Sequence, residues 1–364
     1  MKISLVYSNI LRDYDFGPGH PFRGDRFESF ITYFQESLYK SGRFDLVMRD
    51  EPASDEDLLL WHRKDYIEAI GNAASGRRVP DLWRFISGDN VNPLTKMFPQ
   101  GIDQAARVIV KNSMIACELV QEEKYEKAIS LGGGLHHAKP GYGEGFCVYN
   151  DVVIAAKHLI RKYGLERILI IDTDAHAGNG TCEAFYQDPR VLLIDIHQKH
   201  IYPGTGYEGD IGEKEGKGFT VNAPLPPFAD DESYKLVFDE IVHPLAEEFN
   251  PQFIIRNGGS DPHSADRITQ LRLTLEGFMY IGQRVREIAQ ICDGREVDLI
   301  CSGYKPDVLP RAWSAIISGL ANVEVPLNEP SPIGTVKDRT LEQTRNMIRK
   351  VKRNLEPYWK QLAS

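Results

Sequence analysis

The sequence predicts an α/β protein, with a mainly parallel central sheet covered by helices on both faces. Three observations predict it. Short apolar, β-branched runs recur at residues 3–7, 128–131, 168–172, 191–196, 253–255 and 297–301. Helical patterns at 101–122, 151–163, 232–249, 271–289 and 341–362 alternate with them. Each run is followed by a Gly-rich or polar turn, as strands that feed crossover helices require. No internal repeat and no Ser/Gly linker divides the chain. Residues 1–364 are therefore read as one domain.

Composition bounds the function classes. A chain of 364 residues that is 42% hydrophobic and 26% charged can bury a large core without disulfides. A formal net charge of −9 disfavours nucleic acid, whose phosphates are bound by clustered Lys and Arg. It mildly favours cationic partners. The five cysteines (Cys117, Cys147, Cys182, Cys292 and Cys301) contain no CxxC pair and read as reduced thiols. The opening residues, with one Lys and a short apolar run ending at Ser8-Asn9, read as a first strand and not as a leader. No stretch approaches the roughly 18 apolar residues of a membrane span. The expected compartment is the cytoplasm.

In parallel sheets, chemistry collects at the carboxyl ends of the strands. Four strand ends carry reactive side chains. After residues 168–171 comes Asp172-Thr-Asp174-Ala-His176-Ala-Gly178-Asn179-Gly180. With a strand period of two, Asp172, Asp174 and His176 point to one side. Carboxylates beside an imidazole suit Zn²⁺ or Fe²⁺. The competing reading is a loop with helix-capping Asp and Asn. After 128–131 comes Gly132-Gly-Gly134-Leu-His136-His137. Its glycines allow a close backbone approach, which argues against a casual loop around a histidine pair. After the third strand, Gly258-Gly-Ser-Asp261-Pro-His263 offers Asp261 as a further ligand, or as an Asx turn before Pro262. After the fourth, Ser302-Gly303-Tyr304 offers a phenol, or simply a packed aromatic.

This constellation resembles the histone deacetylase family, including the acetoin-utilisation deacetylases and acetylpolyamine amidohydrolases. The resemblance spans roughly Asp15 to Leu320. It includes Phe16-Gly-Pro-Gly-His20-Pro-Phe-Arg23-Gly-Asp-Arg26, Gly145-Phe146-Cys147-Val-Tyr-Asn150-Asp151, His197-Gln198 and Tyr202-Pro-Gly-Thr-Gly206. It implies a single-domain arginase/deacetylase fold and a zinc-dependent deacetylase acting on linear acetylated amines. By motif, Asp174, His176 and Asp261 resemble the metal ligands. His136 and His137 resemble the tandem catalytic histidines, and Asp172 the carboxylate that orients His136. Tyr304 resembles the tyrosine that hydrogen-bonds the substrate carbonyl. Gly145, Phe146 and Tyr202 resemble walls of the acyl-lysine tunnel. Arg26 resembles an arginine of an internal acetate channel; the competing reading is a surface or helix-start Arg.

Four positions depart from the commoner family pattern, and at one of them Ser302 replaces the glycine before the Tyr motif. Asn179 stands where some members have an Asp partnering the second histidine, so His137 should be less basic. Ala177 replaces a His. Asp195 replaces a Ser near a structural monovalent-cation site; its carboxylate either strengthens K⁺ binding or pairs with a neighbouring base. An inactive acyl-ligand-binding relative and an arginase-like ureohydrolase are the alternative functions. Acetyl-lysine peptides, acetylpolyamines and small acetylated metabolites are the candidate substrates. Segments 85–100 and 206–218 would form the rim.

Overall fold

In the computed structural model, which describes residues 2–330 and 339–362, eight strands form one sheet. They are β1 (Ile3–Tyr7), β2 (Phe44–Met48), β3 (Lys127–Leu131), β4 (Ile168–Asp172), β5 (Val191–Gln198), β6 (Thr220–Leu225), β7 (Phe253–Gly258) and β8 (Glu296–Ile300). Their order across the sheet is β2-β1-β3-β8-β7-β4-β5-β6, and all neighbours are parallel. The helices are α1 (Asp25–Glu36), α2 (Asp55–Leu58), α3 (Lys64–Ala74), α4 (Ile102–Gln121), α5 (Asp151–Tyr163), α6 (Asn179–Phe185), α7 (Asp231–Val237), α8 (His243–Phe249), α9 (Leu275–Ala289), α10 (Leu309–Ala321) and α11 (Arg339–Leu355). Among the described residues no helix is long and apolar enough to cross a membrane.

Strand alternation sorts the core. Ile168 and Ile170 pack on one face with Val152, Ala156 and Leu159 of α5. Leu169 and Ile171 pack on the other with Val237, Phe278 and Ile281. A third cluster joins Leu5, Phe30, Ile109 and Trp313 beneath α1, α4 and α10. Each fully buried side chain of this kind contributes about 1.5–3 kcal/mol, so the two-sided burial fixes which strands lie at the centre.

Local chemistry sets the ends of the elements. Asn150 caps α5 by accepting from Val153 N, and Gly164 closes it in the left-handed region. Thr274 caps α9, so that helix begins four residues later than its apolar pattern. Residues 341–362 are not one helix: α11 ends at Leu355, Pro357 follows, and a short 3-10 turn covers Lys360–Leu362. The pattern at 232–249 is helical throughout but passes through a π turn at Phe238–Val242, just before Pro244.

The central strands β3, β8, β7 and β4 are consecutive in the sheet. These are the four strands whose carboxyl ends carry the reactive motifs. Topology therefore brings together segments up to 170 residues apart in sequence (131 to 301).

Candidate functional site

β4 ends at Asp172, and the alternation expected through His176 stops there. Two successive side-chain-to-backbone turns replace it. Asp172 Oδ1 accepts from Asp174 N at 3.0 Å, and Asp174 Oδ1 accepts from His176 N at 2.9 Å. The capping reading of these aspartates is thus partly true. It coexists with a second role, because the turns aim the side chains at different partners. Asp172 Oδ2 accepts from His136 Nδ1 and from Asn257 Nδ2, both at 2.8 Å. Asp174 and His176 face Asp261 instead.

His176 Nδ1 lies 3.2 Å from Asp174 Oδ1 and 3.0 Å from Asp261 Oδ2. Among the described residues these three form the one group of His, Cys, Asp or Glu whose ligand atoms all fall within 4.8 Å of one another. All three are buried. Asp261 is not in an Asx turn: its other oxygen accepts from Ser302 Oγ at 2.7 Å. Two carboxylates around a neutral imidazole leave two negative charges out of water, which is unfavourable without a cation. The titration behaviour reflects that demand. Burial disfavours imidazolium, yet the two carboxylates outweigh it and raise His176 to about 10. Burial and the neighbouring Asp174 raise Asp261 to about 7. A proton stands where a divalent cation fits. A binuclear centre would need a second such group.

The loop after β3 is shaped by close approaches. A Cβ at Gly134 (φ +120°) would lie 2.3 Å from Asn257 Oδ1. The carboxylate of Asp151, at the start of α5, accepts from Gly134 N and Leu135 N at 3.0 and 2.8 Å. The next two residues are the histidine pair. Their Nε2 atoms lie 3.1 Å apart, and His137 Nδ1 lies 2.8 Å from Asn179 Oδ1. Burial opposes charge on both rings. For His136, Asp172 and Asp174 outweigh it and raise the pKa to about 9. For His137, burial and the two neighbouring histidines push it well below the usual range. The environment separates one charged ring from one neutral ring.

Gly145 and Phe146 both have positive φ (59° and 64°), in a tight turn closed by Cys147 N donating to Glu144 O at 2.9 Å. A Cβ on Gly145 would sit 2.2 Å from His137 Cδ2, so only glycine lets this wall close on the ring. Phe146 packs edge-on to Tyr304 at 5.7 Å, and Tyr202 packs edge-on to His137 at 5.1 Å. Tyr202 is 41% exposed. These rings border a cavity of about 290 Å³ that His137 and His176 also line. Burial raises the Tyr304 phenol well above its ordinary value, so it stays a donor. Its backbone N–H donates to Asp266 at 2.7 Å.

Arg26 is buried, not at the surface. It donates to the carbonyls of Arg23, Pro21 and Cys301, and its guanidinium lies 3.8 Å over the Phe22 ring. Asp195 pairs with a neighbouring base. Its Oδ1 lies 2.7 Å from His197 Nδ1, and its Oδ2 accepts from Gly178 N at 2.8 Å. Both oxygens are engaged by the chain itself. Ala177 is buried beside Gly206, where an added Cβ would meet it at 3.0 Å. All five cysteines are free thiols.

Some residues of the site escaped sequence reasoning. Asn257 orients Asp172, and Asp151 ties the histidine loop to α5. Asp89 and Asn90 hold the wall turn by accepting from Gly145 N and Phe146 N at 3.2 and 2.8 Å. Segment 85–100 therefore reaches the cavity as well as its rim. A polar residue inside an apolar strand was the available signal for Asn257. Asp89 and Asn90 lie in a polar loop and gave none.

Comparison with known proteins agrees with this architecture. The histone deacetylase domain profile matches residues 20–320. A probable deacetylase from Archaeoglobus fulgidus is 35% identical over 373 residues, covering 99% of this chain and 99% of its own. An acetoin utilization protein AcuC from Staphylococcus aureus is 35% identical over 324 residues, covering 88% and 82%. The crystal structure of the HDA15 HD domain superposes with a TM-score of 0.85 at 22% identity, covering 100% of this chain and 96% of that one, a likeness of fold. The chain belongs to the histone deacetylase family and has the α/β fold of the arginase/deacetylase type.

Proposed function

We propose that residues 1–364 form one cytoplasmic deacetylase domain that hydrolyses the amide of linear acetylated amines with a single bound Zn²⁺. Family membership supports a deacetylase. The observation that carries the finer reading is the buried Asp174–His176–Asp261 group beside a histidine pair, with His176 and His137 lining an aromatic-walled cavity. Asp174, His176 and Asp261 would hold the metal; Fe²⁺ suits the same donors. When bound, the metal would polarise the acetyl carbonyl and acidify the attacking water.

The chain's own groups do the rest. His137 is neutral, with Nδ1 hydrogen-bonded to Asn179 and Nε2 directed inward. It takes the proton of the attacking water and returns it to the leaving amine. His136 stays protonated against Asp172 and acts through its charge. Tyr304 donates to the oxyanion as the carbonyl becomes tetrahedral. Phe146 and Tyr202 would clasp the aliphatic stem, and Arg26 is a buried cation beyond the reaction centre that suits released acetate. The five free cysteines support a reducing compartment. The test is turnover of a fluorogenic ε-acetyl-lysine peptide by protein of measured metal content. No turnover by metal-replete protein, with hydroxamate binding retained, would instead indicate a binding relative.

A further inference from the structure

The amide of Asn179 can present either its oxygen or its NH₂ to His137, and the two choices have opposite consequences. With the oxygen inward, Nδ1 of His137 carries the proton and Nε2 keeps its lone pair for the attacking water. With the NH₂ inward, the tautomer reverses and the lone pair faces away. Protonated His136, whose Nε2 lies 3.1 Å from His137 Nε2, favours the first choice from one side of the ring. The structure contains a second group that enforces it from the other. Asn179 Nδ2 donates to Glu144 Oε1 at 2.8 Å, on the side of the amide opposite its 2.8 Å contact with His137 Nδ1. A carboxylate only accepts, so it admits only the NH₂ face of the amide.

We propose that Glu144 is a positioning residue, acting through Asn179 to fix the tautomer of His137. It rests on the reading of His137 as the base. Three observations separate Glu144 from an ordinary surface acid. Its side chain is only 16% exposed, and Lys139 Nζ lies 3.3 Å from the same Oε1, balancing its charge. Its backbone is held by the turn to Cys147 N. The next two N–H groups are held by Asp89 and Asn90. The turn that presses Gly145 on the His137 ring thus also delivers the carboxylate to Asn179. One rigid element sets both the position of the imidazole and the orientation of its partner. Geometry that supplies a fixed acceptor costs no reorganisation during turnover.

The test is a double-mutant cycle of Glu144→Gln and Asn179→Asp, read by kinetics and by ¹⁵N NMR of histidine-labelled protein. Glutamine can meet either face of the Asn179 amide, so Glu144→Gln releases the orientation. It should lower kcat about tenfold with KM nearly unchanged, the size expected for loss of an outer hydrogen-bond partner. In the Asn179→Asp background both inward atoms are acceptors, and no wrong orientation exists. There Glu144→Gln should leave kcat unchanged or raise it, because it also removes a carboxylate facing a carboxylate. The resonance that disappears in His137→Ala should report an Nδ1–H tautomer in wild type and a mixture in Glu144→Gln. That readout does not depend on turnover. If the protein hydrolyses no acetylated amine but the tautomer still shifts, the function fails and the positioning stands. An unchanged tautomer in Glu144→Gln, or equal kinetic loss in both backgrounds, overturns the proposal.

Discussion

Ser302 donates its hydroxyl to Asp261 Oδ1 at 2.7 Å, leaving Oδ2 to face His176. A residue following β8 thus orients a candidate ligand that follows β7. Asp261→Ala should lose metal and activity together, and so should Asp174→Ala and His176→Ala. Ser302→Ala removes only the orienting bond and should weaken metal affinity by about 10–100-fold. Elemental analysis after dialysis against a graded chelator, alongside turnover, checks both. Full metal content with normal turnover in Asp261→Ala would remove it from the ligand set.

Tyr304→Phe keeps the ring that packs on Phe146 and removes the donor. Loss of one oxyanion donor typically lowers kcat by about 10²–10³. Metal content and affinity for a linear hydroxamate should change much less. Wild-type kcat in the Phe variant would reduce the tyrosine to a wall of the cavity.

A general base works only when neutral, so its pKa sets the acid limb of the pH–rate profile. Burial and the neighbouring histidines push His137 down, which places the limb at low pH. Asn179→Asp sets a negative charge against Nδ1, favours imidazolium and should move the limb upward. The limb belongs to a coupled pair of rings, so its assignment also needs His137→Ala to be inactive. A limb that stays put or moves down would sever Asn179 from the base.

The same polar pairing that builds the site explains what the sequence hid. Apolar runs seemed to stop at Ile255 and Ile196, yet β7 reaches Gly258 and β5 reaches Gln198. The residues that broke the pattern are buried and paired: Arg256 with Asp298 at 2.7 Å, Asn257 with Asp172, and His197 with Asp195. Hydrophobic periodicity cannot see a strand whose polar side chains find partners within the sheet. The two unforeseen strands lie at the sheet edges. β2 is only half buried, and β6 contains Asn222 and Pro224, which an edge tolerates. Helix α1 buries Arg26 among Phe27, Phe30 and Phe34, so its charge masked an amphipathic face. The metal-competent residues were legible because each lies in a turn within a few residues of an apolar run. Glu144 and Asp89 were not, since their roles depend on loops meeting in space.

His62 predicts an acid sensitivity unrelated to catalysis. It is buried, Nδ1 lies 3.0 Å from Lys139 O, and Nε2 accepts from Asn150 N at 3.0 Å. The second bond requires a neutral ring, and burial pushes its pKa down to about 3. The unfolded chain takes up this proton near pH 6.5, so the folded state binds fewer protons in the interval between. Stability is complete above about pH 6.5 and declines as pH falls toward 3, by up to about 1.4 kcal/mol per unit from this group. Urea midpoints at pH 7 and pH 5 check it. His62→Gln should be less stable at pH 7 but lose less between the two pH values. An equal loss in both proteins would acquit His62.

Substrate shape follows from the walls. Phe146 and Tyr202 pack edge-on to Tyr304 and His137 respectively, and all four rings line one cavity. An aliphatic stem gains by burying its methylenes there, at about 0.8 kcal/mol each. A branched, highly charged metabolite gains no such burial. An ε-acetyl-lysine peptide should therefore be hydrolysed, and a linear hydroxamate should inhibit. Phe146→Ala should raise KM more than it disturbs metal content, because it removes a wall and no candidate ligand. Net charge adds a weaker effect: −9 over the chain draws cationic substrates by steering that fades as salt rises. Acetylpolyamines should then lose kcat/KM with salt more steeply than a neutral acetylated peptide does. If metal-replete protein cleaves a compact acetylated metabolite and no linear acetylated amine, the tunnel reading falls while the deacetylase reading survives.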